Sequence, residues 1–595
     1  MSKSGERQFE MKKWKLKNLP QQQPNLPEYP AFVLKLLNLR SLFEAEEIRG
    51  FLEPEYYKLH DPFLFREMEK TVERVKLAIT NQEKITIYAD YDADAITAAS
   101  VVFLALKKLG AVIDCYIPDR FAEGYGVNSD AVKKIAESGS KLIITVDCGT
   151  NSVAEAKLCQ ELGIDLIVTD HHEVTGELPG AYALINPKNP TDNYPFRFLT
   201  GVGVAYKLVQ ALFSTDPNHP RKEGQASNRG SQQDSRSTQR ILSGNGVAPG
   251  WEKWLLDLVA IGTVADCQSL TGENRILVSF GLKVLAKTRW LGIRKLLDVS
   301  QVSKIPFDTF TLGFILAPRI NAAGRIKHAD LAFKLLVSED EAEAGRLALE
   351  LNDLNKQRQT LTEQVLSEAR EQLSLMPDKK ILLAYGADWP KGVVGLVAGK
   401  LVEEYGRPVL ILRKEELLAT GSGRSIGNFD LVAALNSSKD LLVRFGGHTQ
   451  AAGFTLASEH IPSFHQKLLE YVETVSAEFE PPVLEVDCEL AAEDITAENY
   501  AYIKKMAPFG VDNPKPKFVS CGMEVVECRT VGNGSKHLKM RLKLAGKFIG
   551  AIAFGQGFLS DKLVSGTKID AVYELEENSW KGNTNLELKI VDIKL

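Results

Sequence analysis

Between residues 81 and 200, short apolar runs rich in β-branched residues alternate with segments whose apolar positions recur every three or four residues. "KITIYAD" (84–90), "AVIDCYIPD" (111–119), "KLIITVDCG" (141–149) and "DLIVTDHH" (165–172) read as strands. "ITAASVVFLALKKLG" (96–110) and "SVAEAKLCQELG" (152–163) between them read as helices. Strands apolar throughout need both faces covered, so the alternation predicts a doubly wound parallel sheet.

The same patterns divide the rest of the chain. Residues 1–80, with "PAFVLKLLNLRSLFEAEEIRGFL" and "REMEKTVERVKLAITNQ", read as an N-terminal helical segment packed on the catalytic domain of residues 81–337. Ser338 to Met376 holds no proline and one early glycine, which predicts a connecting helix of ~35 residues and roughly 50 Å. "KILLAYG", "VVGLVAGKLVEEYG" and "PVLIL" restart the alternation in a second α/β lobe, 377–475. From 476 to 595, runs such as "HLKMRLKLA", "FIGAIAF" and "NLELKIVDI" alternate with period two and predict a small β-barrel of the OB type. Residues 214–249, rich in Ser, Gln, Asn, Gly and Arg, have too few large apolar groups to offset the entropy of ordering and read as a disordered insertion.

Composition changes this picture little. A formal charge of -5 and a pI near 6.1 give no global basic field, so a nucleic-acid partner needs a local groove. Within 501–550, however, ten Lys or Arg stand against three Asp or Glu, interleaved with Tyr502, Phe509, Phe518 and Phe548, of which one or two are expected to stack on bases. Seven isolated cysteines indicate neither a disulfide framework nor a thiolate zinc site. The charged N-terminus lacks an apolar signal core and no span-length apolar stretch follows, so a cytoplasmic protein without a membrane segment is expected.

Chemistry concentrates where ligands bind open α/β sheets, at the carboxyl ends of the strands. Asp90, Asp92 and Asp94 follow the first strand, Asp147 the third, and Asp170, His171 and His172 the fourth. One such aspartate alone reads as a turn former or helix cap. Several together repel unless a cation compensates them, and oxygen ligands with imidazole suit manganese or magnesium before zinc. The ligand count exceeds one ion's needs and fits two ions sharing a carboxylate.

"DYDADAITA", "TVDCGT", "VTDHH" and "AIGTVAD", followed by "RINAAGR", "GSGRS" and "FGGHTQAAGF", resemble in order the motifs of the DHH phosphoesterase superfamily. The similarity extends from the "FLEPEYYKLHDPFLF" lead-in to the "PFGVDNPKPKF" barrel, the pattern of its single-strand-specific 5′ exonucleases. It implies a DHH domain and a DHH-associated domain joined by the long helix, plus the OB barrel. It also implies two Mn²⁺ or Mg²⁺ ions on Asp92, Asp94, Asp147, His171 and Asp266, with Asp147 bridging and Asp90 in support. Asp170 would orient a histidine. His172 would stand beside the scissile phosphate, or else be a further ligand or a structural residue. Asp266, ending the apolar run 255–266, becomes a ligand through the resemblance alone. Arg319, Asn321 and Arg325, read as a loop, and Ser422, Arg424 and His448 in the second lobe would hold substrate.

The implied reaction is 5′ to 3′ hydrolysis of single-stranded DNA to 5′-mononucleotides in repair and recombination. A single-strand-binding protein and a helicase are implied partners, and a monomer is expected. The alternatives are a DHH phosphodiesterase of oligoribonucleotides or cyclic dinucleotides, and an inactive replication scaffold. Two positions depart from the pattern: Ala95 replaces a usual glycine, where its methyl threatens to restrict the turn, and Pro390 replaces a common histidine.

Overall fold

The computed structural model describes residues 13–18, 26–120, 122–124, 126–214, 247–302, 306–427, 429–475, 479, 483–580 and 583–595. The expected insertion at 214–249 lies almost wholly outside the described residues. The chain forms two compact units, Tyr56–Phe479 and the N-terminal residues to Glu55 together with Glu480–Leu595.

In the Tyr56–Phe479 unit, strands Lys84–Ala89, Val112–Tyr116, Leu142–Val146, Asp165–Thr169 and Ala183–Ile185 form one parallel sheet in the order second, first, third, fourth, fifth. Successive side chains point to opposite faces. Ile85, Ile87, Leu142, Ile144 and Ile167 enter the core beneath helix Ala93–Lys108. Tyr88, Ile143, Leu166 and Val168 enter a second core with helices Ser129–Glu137 and Val153–Glu161. This is the doubly wound arrangement that the continuous apolar strands demand. The fifth strand, three residues long, is too short to register as a pattern.

Helix Glu341–Ser374, 34 residues long, serves two cores. Ala344, Leu347, Ala348, Leu351 and Leu354 pack with the parallel sheet's helices, whereas Val365, Leu366, Ala369 and Leu373 pack with the second lobe. That lobe is a mixed sheet: Leu382–Gly386 runs parallel to Val409–Lys414, and Leu418–Arg424, Ala451–Ala457 and Leu442–His448 continue antiparallel to the edge.

The other unit holds a closed barrel. Strands Phe518–Val531, His537–Leu544, Lys547–Ala553, Asn583–Lys594 and Lys568–Trp580 pair in that order, and the last returns to the first. The expected placement of residues 1–80 is corrected here. Helices Ala31–Asn38 and Ala45–Leu52 bury Phe32, Val33, Leu36, Leu37, Ile48 and Leu52 in the barrel's core, and Arg40 Nε donates to Asn513 Oδ1 at 2.7 Å. Strand Lys13–Leu16 pairs with Val483–Val486. Helix Met68–Thr80 of the same segment, by contrast, packs in the catalytic lobe's core. Amphipathic spacing reveals that a face is buried but not against which partner.

"RINAAGR" is also corrected: it lies in helix Ala317–Ile326, preceded by a π-helical turn at Thr311–Leu316. Pro318 is tolerated in the first turn, where its missing N–H is no loss. Gly324 packs so closely that a Cβ there would approach Tyr91 O to 2.7 Å. Neither residue breaks the helix that carries Arg319, Asn321 and Arg325.

Candidate metal centre

Each acidic group of the cluster is placed by a local feature of the backbone. Asp92 caps helix Ala93–Lys108, accepting from Ala95 N at 3.0 Å. Asp94, in the first turn of that helix, is buried and accepts from Gly201 N at 2.7 Å and Val202 N at 3.0 Å, the first amides of helix Gly201–Phe213. These unsatisfied amides and the helix dipole favour its charge. Asp147 directly follows its strand, in the left-handed region at φ +60°. Asp266 ends helix Leu256–Ala265.

His171 Nε2 joins these groups. It lies 3.0 Å from Asp147 Oδ1, 3.8 Å from Asp266 Oδ2 and 4.0 Å from Asp94 Oδ2. Ligand atoms of Asp94, His171 and Asp266 fall within 4.8 Å of one another, and so do those of Asp147, His171 and His172. The two groups share His171. Asp90 Oδ1, Asp147 Oδ1 and Asp266 Oδ2 are buried without a hydrogen-bond partner among the described residues. Burial and the charge of Asp92 push Asp90 up to about 8 and Asp266 up to about 7. Burial and neighbouring carboxylates likewise raise Asp94 and Asp147 well above the ordinary range. Burial and the His172 charge lower His171 to about 3, which leaves its ring neutral and able to ligate. Unpartnered oxygens and a neutral imidazole, all converging, fit hard or borderline divalent cations.

Asp170 contributes differently. Its oxygens accept from Thr150 N at 2.9 Å, His171 N at 2.7 Å and His172 N at 3.2 Å, and Oδ1 meets His172 Nδ1 at 2.7 Å. Burial opposes its ionisation, but the His172 and Thr150 hydrogen bonds and the His172 charge hold it below its usual range. Burial pushes His172 down, and the Asp170 bond and charge more than reverse this. Asp170 therefore fixes the ring of His172 through Nδ1.

Ala95 causes no conflict. It is helical, fully buried and packed in the core, so its methyl faces away from the turn. Pro390 supplies the residue before helix Lys391–Tyr405, with φ −66°.

Opposite the acids lie guanidinium groups. Arg325 is half-buried, donates to Gly392 O at 3.2 Å, and is lowered to about 10 by desolvation and by the charges of Arg120, Arg358 and Arg424, against the pull of Asp92. Arg424 Nη1 donates to Ser422 Oγ at 2.9 Å. Cations held this close, with so little counter-charge, invite a polyanion. Arg319 is tied to Asn352 Oδ1 at 3.2 Å and Ile315 O at 2.7 Å, and Asn321 Oδ1 accepts from Ala93 N at 2.9 Å. Asn321 thus anchors the helix that carries Asp94. His448 is exposed at the end of the edge strand and takes part in neither ligand group.

Sequence reasoning missed Arg120, Arg358, Gly201 and Gly262. The arginines carried no signal, being single cations on a strand-to-helix loop and on a polar helix. The glycines did: "LTGVG" and "AIGT" repeat small residues where a Cβ at Gly201 would meet Asp147 at 2.5 Å and one at Gly262 would meet Asp94 Oδ1 at 2.8 Å.

In the barrel, Phe518 is wholly buried, Tyr502 packs edge-on against Tyr29 and Phe509 lies partly buried against the core, so these three are structural. Phe548 is 52% exposed, with the Arg541 guanidinium 4.6 Å from its ring centre. It borders a groove of 930 Å³ that also carries Arg529, Lys539 and Lys547.

Family models match in the same order: DHH family, N-terminal domain, at residues 84–232; DHHA1 domain at 378–474; RecJ OB domain at 486–592. The chain is 40% identical over 582 residues to the single-stranded-DNA-specific exonuclease RecJ of Bacillus subtilis (strain 168), covering 97% of this chain and 69% of that one. Among solved structures, RecJ from Thermus thermophilus in complex with Mn²⁺ superposes with a TM-score of 0.78 at 28% identity, covering 98% of this chain and 79% of that chain. The same protein in complex with Mg²⁺ gives 0.73 at 27% identity, covering 98% and 78%. This chain belongs to the RecJ family.

Proposed function

We propose that this protein is a single-stranded-DNA-specific 5′ to 3′ exonuclease that hydrolyses phosphodiesters with two divalent ions, Mn²⁺ or Mg²⁺, and releases 5′-mononucleotides. The observation that carries this reading is the pair of ligand groups sharing His171, lined with unpartnered carboxylate oxygens and faced by a guanidinium cluster. Both ions occur in the Thermus relative, and the Bacillus relative bears the activity in its name.

When bound, such ions lower the pKa of water and neutralise charge on the departing 3′ oxygen. Asp92, Asp94, Asp147, His171 and Asp266 are the assigned ligands; Asp94 and Asp266 belong to one group with His171, and Asp147, the assigned bridge, to the other. Gly201 and Val202 amides hold Asp94 in its ligating orientation, and Asn321 steadies the helix beneath it. Asp90 stands buried beside Asp92 and feels its charge, in a supporting place behind the ligands. Held by Asp170, His172 offers Nε2 to the phosphate or to a proton in transit. Arg325, Arg424 and Ser422 grip phosphate oxygens, joined by Arg120 and Arg358; Arg319 and His448 flank the strand farther out. The second lobe, 377–475, serves as a substrate clamp and the barrel as a single-strand-binding surface centred on Phe548. A cytoplasmic monomer working with a single-strand-binding protein and a helicase completes the proposal; no helix among the described residues is long and apolar enough to cross a membrane.

The small-substrate alternative leaves the barrel and its cationic groove without a task, and a scaffold has no need of complete ligand groups. The test is hydrolysis, with Mn²⁺, of 5′-phosphorylated single strands, duplex and RNA. Rapid release of mononucleotides from the DNA single strand alone, abolished in Asp147→Ala, is expected. Equal rates on all three, or undiminished activity in the variant, overturn the proposal.

A further inference from the structure

Beside the metal centre stands a pair of rings with no part in the reading above. Phe310 and Phe314 stack with centroids 5.0 Å apart and planes 18° from parallel, yet they are 58% and 71% exposed. Phe314 rides on the π-helical turn Thr311–Leu316, and Phe310 immediately precedes it. On the turn's other face Leu312 and Leu316 are fully buried. The turn runs unbroken into helix Ala317–Ile326, so the rings sit on a rigid shelf and not on a loose loop.

The inner side of the shelf leads to the site. A Cβ on Gly313 would come within 3.2 Å of Val264 Cγ1, and Val264 is two residues before Asp266. The turn that carries the rings therefore packs against the helix that presents Asp266. Farther along the same helix come Arg319 and then Arg325, the centre of the guanidinium cluster.

We propose that Phe310 and Phe314 form a nucleobase-stacking platform for the single strand, holding unpaired bases beside the metal centre while the arginines hold the backbone. The inference rests on the reading of the protein as a single-strand nuclease. Two adjoining aromatic faces match the unit of base stacking, which tolerates any sequence because every base has a π-face. They are too small a patch for a stable protein partner, which needs about 800 Å² on each side. Continuity with the cationic helix favours a ligand that is aromatic and anionic together. Duplex offers no free base faces along its length, so the platform would also favour unpaired substrate.

The experiment compares the full-length protein with Phe310→Ala/Phe314→Ala and Phe310→Trp/Phe314→Trp, using Mn²⁺ and 5′-phosphorylated oligonucleotides that carry 2-aminopurine or an abasic site at successive positions. The exposed rings contribute little to the core, so unchanged thermal unfolding and an unchanged Mn²⁺-induced rise in Tm are expected and confirm an intact fold. The wild type should quench 2-aminopurine at one or two adjacent positions, with KM raised by an abasic site there. The alanine variant should lose that quenching, show a KM about tenfold higher or more, and become indifferent to the abasic site, while the tryptophan variant retains all three properties. Unchanged quenching and KM in the alanine variant overturn the platform, including the case in which the rings serve a protein contact. Failure of the wild type to degrade single strands overturns the underlying nuclease reading, and the platform with it.

Discussion

Replacing Gly201 with alanine tests whether the position of the acids, and not their mere presence, makes the site. Gly201 begins the helix whose amide holds Asp94, and its α-carbon faces Asp147. An added methyl would lie 2.5 Å from both Cβ and Oδ1 of Asp147, whereas ordinary contact begins at 3.4 Å. Relief requires a movement of roughly 1 Å by the Asp147 carboxylate, the helix N-terminus or both. Overpacking of this kind costs about 1–3 kcal/mol. A shift of the helix also lengthens two hydrogen bonds to a charged group, worth about 1.5–3 kcal/mol each, and misplacement by 1 Å costs roughly 10²-fold in rate. Gly201→Ala is therefore expected to lower kcat/KM about a hundredfold and to shrink the Mn²⁺-induced rise in Tm. Gly345→Ala is the control, because a Cβ there meets nothing within 4 Å and the residue lies in the long helix; it should keep full activity and gain about 1 kcal/mol of stability. Wild-type rate and Mn²⁺ response in Gly201→Ala would refute the argument.

Three further outcomes follow from the same structure. Ala95→Gly should leave the rate within about twofold and cost roughly 1 kcal/mol of stability, since position 95 is helical; a large gain in activity would show that the methyl does obstruct the centre. Asp257, buried and bonded to Thr288 Oγ1 at 2.5 Å, is pushed up to about 7 by burial. Its folded pKa exceeds the unfolded one, so its contribution is fully present below about pH 4 and is lost as pH rises through 7, up to about 4 kcal/mol. Asp257→Asn should flatten that decline in urea denaturation across pH 4–8, and an unaltered pH profile would contradict it. Phe548→Ala should weaken binding of a fluorescent single strand by about 1–3 kcal/mol without changing kcat at saturation, whereas Phe518→Ala should destabilise the barrel by about 3–5 kcal/mol; similar behaviour of the two would refute the assignment of ring roles.

Periodicity revealed much of the fold because burial on two sheet faces leaves a one-dimensional trace. Ile85, Ile87 and Tyr88 are all apolar since each has a core to enter, and the long helix repeats its apolar positions as it passes from one core to the next. What failed were questions of partner. Phe32 and Leu36 announce burial without saying that the cover is a barrel more than 450 residues downstream in sequence. Of the site, the groups at strand ends were legible, because parallel strands bring successive carboxyl ends together. Asp266 was legible only by resemblance, as its run is uniformly apolar. Arg120 and Arg358 were not legible at all, since the cluster around Arg325 exists only once two lobes and a helix have packed.

The distribution of hydrogen-bond donors explains why so acidic a centre can fold and still attract cations. Asp170 receives three backbone amides and a ring nitrogen, and Asp94 receives two amides at a helix N-terminus. Both are fixed from behind. Asp90, Asp147 and Asp266 each keep a buried oxygen without a hydrogen bond among the described residues, that of Asp147 standing 3.0 Å from His171 Nε2. Full pairing by lysine or arginine would have neutralised the acids and left no ligand atoms free. Instead the arginines gather around Arg325, near enough to feel Asp92 and themselves short of counter-charge. The two deficits are complementary: one lacks cations and the other lacks anions. A metal-bound phosphodiester supplies both at once, which is why substrate and metal should each bind more tightly in the presence of the other.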